Sequence, residues 1–203
     1  MVILKRIADD WPVVKGDYTS GNPESRVAVV TLASSINPYP EAAIWGTCKT
    51  ENLGAEKLVA NIVSNSNIRY VLLCGGESRG HLSGHTLLKL HQNGIDEKGR
   101  IIGSEGAIPF IENIPRIAIH RFQKQVELID CIGLTDLEKI KNIVDKYKNK
   151  GMFYNEEPIL IISKSRKTRT LPQTPSGKGD MFISDEFVIN TKTGLILETN
   201  SES

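Results

Sequence analysis

The apolar run Tyr70-Val71-Leu72-Leu73-Cys74 stops abruptly at Gly75-Gly76, and a polar, glycine-rich loop carrying Glu77, Arg79 and His81 leads from it into an amphipathic segment. So short a run, with no polar position, reads as a strand covered on both faces. A strand that ends in a glycine loop and opens a helix is where open α/β sheets put their ligands, outside the carboxyl ends of the strands. Glycines such as Gly75, Gly76, Gly80 and Gly84 admit positive φ and let a flat or bulky ligand approach the backbone. The imidazole of His81 is the side chain in this loop best suited to chemistry, with a second imidazole at His85.

The rest of the chain fits the same grammar. Residues 27–33 (VAVVTLA) are continuous and β-branched, as in a strand buried on both faces. Residues 50–63 place Leu53, Leu58, Ile62 and Val63 near helical spacing, with Thr50 or Asn52 available as a cap. Ser83 is placed to cap the helix that follows the glycine loop, which stops at Asn93-Gly94. A helix from Pro115 to about Gln123, a strand over 126–132, a helix over 136–148 and a further buried strand over 158–162 complete the pattern. Strands alternating with helices predict an α/β fold, a Rossmann-like parallel sheet flanked by helices. Beyond residue 163 the helical signals stop, and residues 181–197 read as a β-hairpin-like extension. The expected division is therefore 1–162 and 163–203. Residues 106–111 (GAIPFI) are apolar but punctuated by Gly and Pro, and fit either a packed loop or an apolar wall facing a ligand.

Composition excludes several classes of function. A net charge of +1 over 203 residues gives no electrostatic footprint for nucleic acid. No apolar stretch reaches the roughly 18 residues needed to cross a bilayer, and the run at residues 1–6 is too short for a signal peptide, so no membrane insertion is expected. Three widely spaced cysteines, Cys48, Cys74 and Cys131, fit a reducing cytoplasm and give neither a disulfide framework nor a cysteine-rich zinc site. Cys48 beside Lys49 lacks the company of a catalytic thiol. Residues 34–37 (SSIN) follow the first strand, so the GxGxxG dinucleotide fingerprint and the P-loop are both absent.

Two readings of the imidazoles stay open at this level. His81 and His85, four residues apart, would share a face if both lay on one helix, as in a metal-dependent hydrolase. Alternatively His81 alone gives an axial nitrogen to a large flat cofactor, oriented by a carboxylate such as Glu51, Glu77, Glu105 or Asp130.

Several long blocks carry a family resemblance: WPVVKGDY at 11–18, GNPES at 21–25, CKTENLG at 48–54, Cys74-Gly75, Gly80-His81 and GAIPFIENIP at 106–115. In this order they resemble the corrinoid-carrying A subunit of tetrahydromethanopterin S-methyltransferase from methanogenic archaea, over residues 11–162. The resemblance implies a cobamide (a vitamin B12-type corrinoid) with His81 as the lower ligand of its cobalt. The methyl group would pass from a methyltetrahydropterin to cobalt and on to a thiol such as coenzyme M, with other methyltransferase proteins as partners. Gly75, Gly76, Gly80, Ser83 and Gly84 would make room for the cofactor. Thr50, Glu51, Gly106, Ala107, Ile108, Pro109 and Phe110 would add contacts across the carboxyl end of the sheet. Ser83 stands where the family usually has Thr, and His85 where it usually has Gln. The polar tail replaces the family's membrane anchor, which implies a cytoplasmic homologue. A cobamide-binding protein without turnover is the remaining expectation within this family.

Overall fold

The computed structural model describes residues 5–161, together with the strands at 180–184, 187–190 and 196–198. The chain divides into two compact units, Met1–Lys164 and Ser165–Ser203. The first holds five strands: β1 (Tyr18–Ser20), β2 (Val27–Val30), β3 (Ile44–Gly46), β4 (Tyr70–Leu73) and β5 (Glu127–Asp130). It also holds four helices: α1 (Leu53–Val63), α2 (Ser83–Asn93), α3 (Arg116–Gln125) and α4 (Leu137–Tyr147). The sheet order is β1-β3-β2-β4-β5, with β3, β2, β4 and β5 parallel and β1 antiparallel on one edge.

β2 is buried throughout because it is central and helices cover both faces of the sheet. Its residues alternate between two cores, as the period of two requires. Ala28 and Val30 join Val71 and Leu73 of β4 under the helical layer of α1, α2 and α3. Val27 and Val29 join Leu72 and Trp45 on the opposite face, against Ile140 and Val144 of α4. From β2 the chain places β3 on one side and, after α1, β4 on the other. That reversal makes a crevice at the carboxyl ends of β2 and β4, the usual ligand position in open α/β sheets.

The α/β architecture matches expectation; four local readings change. The parallel sheet gains an antiparallel edge, because residues 18–20 and 44–46, outside every element expected from the sequence, pair with each other as β1 and β3. The strand expected over 27–33 ends at Val30, and Leu32 turns to φ 52°. Residues 158–161 form no strand. The Ile159 amide donates to the carbonyl of Val63 at 2.9 Å, and Ile159 and Ile161 pack on the core beside exposed Leu160. Their apolar character is thus satisfied by packing on the end of α1. Ile162 lies outside the described residues.

Ser83 does not cap α2 but is its first residue. The cap position belongs to Leu82, at φ 46° and ψ 50°. Glu77 caps instead: its carboxylate accepts from the Gly84 amide at 2.9 Å and the His85 amide at 2.7 Å. A charged acceptor is well placed there, since the helix dipole is positive at that end. For α1 both expected residues contribute, Asn52 accepting from the Leu53 amide at 2.7 Å and Thr50 from the Gly54 amide at 2.9 Å. The second unit contains β6 (Asp180–Ser184), β7 (Phe187–Asn190) and β8 (Ile196–Glu198) in an antiparallel sheet, order β6-β7-β8.

One buried side chain gathers three carbonyls of the turn from α1 to β4. Fully buried Gln125 donates from Nε2 to the carbonyls of Ile62, Asn65 and Ile68 at 3.0, 2.9 and 3.1 Å, and its Oε1 accepts from Arg121 Nε at 2.8 Å. Gln125→Ala strands these groups and should lower stability by about 2–4 kcal/mol. Urea unfolding measures it; a loss below about 1 kcal/mol would mean that water replaces the amide.

Candidate functional site

Three loops at the carboxyl end of the sheet meet at one carboxylate. Glu51, in the loop between β3 and α1, is 1% exposed. Its Oε2 lies 2.7 Å from Nδ1 of His81 in the loop after β4, and its Oε1 accepts from the Ile108 amide at 2.6 Å. A carboxylate only accepts, so Nδ1 carries the hydrogen and the lone pair of a neutral ring lies on Nε2. The His81 side chain is 47% exposed, and its Nε2 makes no hydrogen bond among the described residues. This is the donor arrangement of a metal-ligating histidine: one ring nitrogen fixed by a carboxylate, the other free.

Burial alone would raise the Glu51 pKa. The amides of Ile108 and of Glu51 itself, and then the His81 imidazole, outweigh that cost and hold the carboxyl below its ordinary 4.5.

The glycines divide by role. Gly75 has φ +78°, and a Cβ there would lie 2.2 Å from the Thr31 carbonyl oxygen, so the loops after β2 and β4 touch only because it is glycine. The Gly76 amide donates to Ser34 Oγ at 2.8 Å, which joins the same loops, yet a Cβ would fit there. Gly80, also at φ +78°, has nothing within 4 Å of a Cβ position and borders open space beside His81. Gly84 is closely surrounded by Glu77, Ile132 and Leu32. A Cβ on Gly106 would meet the His81 carbonyl oxygen at 2.7 Å and Glu51 Cγ at 2.9 Å, so the third loop closes on the pair only as glycine.

Ser83 is buried and donates from Oγ to the Cys48 carbonyl at 2.6 Å, tying the start of α2 to the loop that bears Glu51. Thr50 serves the same loop by capping α1 through Oγ1. Ala107 and Ile108 are exposed, Ile108 at 59%, while Pro109 is buried and Phe110 half-buried beside Arg100. Residues 106–111 are therefore in part a packed loop, with the apolar side chains of Ala107 and Ile108 left exposed.

His85 lies inside α2 and His81 outside it, so they share no helical face, which removes the spacing argument for a two-histidine metal site. Nδ1 of His85 is buried without a hydrogen-bond partner. Among the described residues no cluster of three or more His, Cys, Asp or Glu is placed to hold a metal ion. Burial pushes the Cys48 thiol up to about 12, further than the Thr50 carbonyl contact lowers it, which favours the neutral thiol. Sequence spacing did not reveal Glu77 as the cap of α2, nor Glu56. The carboxylate of Glu56, 4% exposed, accepts from the Asn113 amide and Asn113 Nδ2, both at 2.8 Å, and from the Glu112 amide. Both side chains act across loops of no fixed length, which leaves no pattern to read.

Residues 4–170 match the profile of the A subunit of tetrahydromethanopterin S-methyltransferase. The chain belongs to that family. It is 61% identical to the A subunit of the putative methyltransferase Mtx of Methanosarcina barkeri, over 97% of this chain and 99% of the relative. It is 52% identical to the first A subunit of tetrahydromethanopterin S-methyltransferase of Methanothermobacter marburgensis, over 80% of this chain and 70% of the relative. With the corresponding A subunit of Methanosphaera stadtmanae the identity is 43%, over 99% and 81%. No helix among the described residues is long and apolar enough to cross a membrane.

The Glu51 carboxyl, lowered on folding, contributes stability that is present above the unfolded value of 4.5 and lost as pH falls through its folded value. The stability difference between the native protein and Glu51→Gln should thus be largest near neutrality and shrink as pH falls below 4.5. Urea unfolding across that range measures it; a constant difference would show that Glu51 is not held as the charged form.

Proposed function

We propose that this member of the methyltransferase family is a corrinoid carrier, with His81 as the lower axial ligand of the cobalt in a bound cobamide. Methyl transfer is the chemistry of the family; the cobamide and the role of His81 are the finer reading. The observation that carries it is the His81–Glu51 pair: an imidazole fixed through Nδ1 by a buried carboxylate, with Nε2 free, at the carboxyl end of a largely parallel sheet. That donor set fits a cobalt-bound cofactor, and the open space at Gly80 leaves room beside it.

When bound, the cobamide supplies a cobalt atom that takes up and gives up the methyl group. The chain's own residues do the positioning. Glu51 keeps the Nδ1 tautomer and sets the plane of the ring. Gly106 lets the third loop close on the pair, Gly75 lets the loops after β2 and β4 meet, and Ile108 presents an apolar edge next to the pair. Gly76, Gly80, Ser83, Gly84, Thr50, Ala107, Pro109 and Phe110 complete the proposed surround. In this reading residues 1–162 form the cofactor-binding domain and 163–203 an extension. Partner methyltransferase proteins in the cytoplasm bring a methyltetrahydropterin donor and a thiol acceptor such as coenzyme M.

Titration with hydroxocobalamin, followed by visible absorption, tests this. The native protein should bind with a spectral change that His81→Ala abolishes. An unchanged spectrum in the variant would remove His81 as the ligand, and no binding by the native protein would end the corrinoid reading. Failure of the loaded protein to accept a methyl group from a methyltetrahydropterin methyltransferase would leave it a cobamide-binding protein without turnover.

A further inference from the structure

A cavity of about 340 Å³ lies between α1 and the sheet, and His81 does not line it. Its floor is apolar: Ala28 and Val30 of β2, Ile44 of β3, and Leu58 and Ile62 of α1. Four of these are at least nine-tenths buried, and Leu58 is half-buried. The mouth is different. Leu53, Lys49 and Lys57 line it and are exposed, with Thr47 and Thr50 beside them.

Asp17, also lining, occupies part of this charge. Its Oδ2 accepts from Thr47 Oγ1 at 2.8 Å and lies 3.4 Å from Lys49 Nζ. Lys57 forms no salt bridge among the described residues. Thr50 Oγ1 accepts from the Gly54 amide, so its own hydrogen is free to donate. The far wall is rigid, since Asn61 exchanges hydrogen bonds with both backbone groups of Val14, at 2.9 Å each.

An apolar chamber of this size, with convergent polar groups at one end only, has the build of a small-molecule site. We propose that it binds an apolar ring-containing group that carries an anionic substituent, the ring seated on the floor and the anion held by Lys57, the Thr50 hydroxyl and Lys49. Thr50 lines the chamber, and the next residue, Glu51, holds His81. The ring and anion can therefore belong to an appendage of a ligand seated on His81 or to a separate small molecule. The first source rests on the corrinoid reading; the chamber itself does not.

The probe is anilinonaphthalene sulfonate, an aromatic body with one anionic group, followed by fluorescence on the folded full chain. Binding should be saturable, should survive in His81→Ala, and should be lost in Leu58→Trp, which fills the chamber. Exchanging both cations in Lys49→Gln/Lys57→Gln, both at exposed positions, should weaken binding by about ten-fold, the scale of one charge-assisted contact. Unchanged binding in the lysine variant, or in Leu58→Trp with a native unfolding midpoint, would overturn the proposal. The source is settled by comparing hydroxocobalamin with cobinamide, which lacks the nucleotide appendage. If Leu58→Trp weakens only the former, the chamber takes the appendage; if it weakens neither while the fluorescent probe is lost, the occupant is a separate molecule. Failure of the corrinoid reading shows as no cobalamin binding and leaves the fluorescence result intact.

Discussion

A buried negative charge is costly unless its surroundings satisfy it, and the site is organised around meeting that demand at Glu51. One oxygen takes an imidazole from the loop after β4, the other an amide from the segment before α3, and the residue's own backbone amide adds a third stabilising contact. Three segments far apart in sequence are thereby tied at a single point. Removing one donor leaves the buried charge with fewer partners, so the tie between the three segments weakens. Placing this knot at the carboxyl ends of β3 and β4 requires a close approach of the third segment, which the glycine at 106 permits, while the glycine at 75 lets the loops after β2 and β4 touch.

Much of the architecture was legible in the sequence because it depends on period. The all-apolar runs of β2 and β4 mark central strands, and the stripe Ile140, Val144 marks α4. Strands of three residues escape that logic: β1 and β3 are too short to display alternation, although the four apolar residues at 42–45 hinted at one of them. Residues 158–161 misled for the opposite reason. Their composition is that of a strand, but apolar burial is non-directional, and packing on α1 meets it as well as a ladder would.

The candidate site was legible in outline only. The glycine loop announced His81, and Glu51 stood among four carboxylates that spacing could not separate; the pairing is a tertiary fact. At the start of α2 the expected Ser83 cap gave way to Glu77, whose two oxygens reach two amides at once. The hydroxyl of Ser83 then served a different purpose, fastening α2 to the strand-end loop at Cys48. Leu82, the residue that yields the cap position, adopts the left-handed region without being glycine, a conformation that persists only where its surroundings impose it.

Exposed residues of the segment over the site are held by their backbone amides. Glu51 holds the amide of Ile108, and Glu56 holds those of Glu112 and Asn113 together with the Asn113 side chain, while Pro109 and Ile111 are buried. Because the grips ignore side-chain identity, Ala107, Ile108 and Glu112 are free to be exchanged while the segment keeps its path. Proline is the exception at 108, 112 and 113, where it would delete the donor. A lineage can thus retune the surface shown to whatever approaches His81 without rebuilding the support beneath it, and related chains with different partners need differ there by little more than side chains.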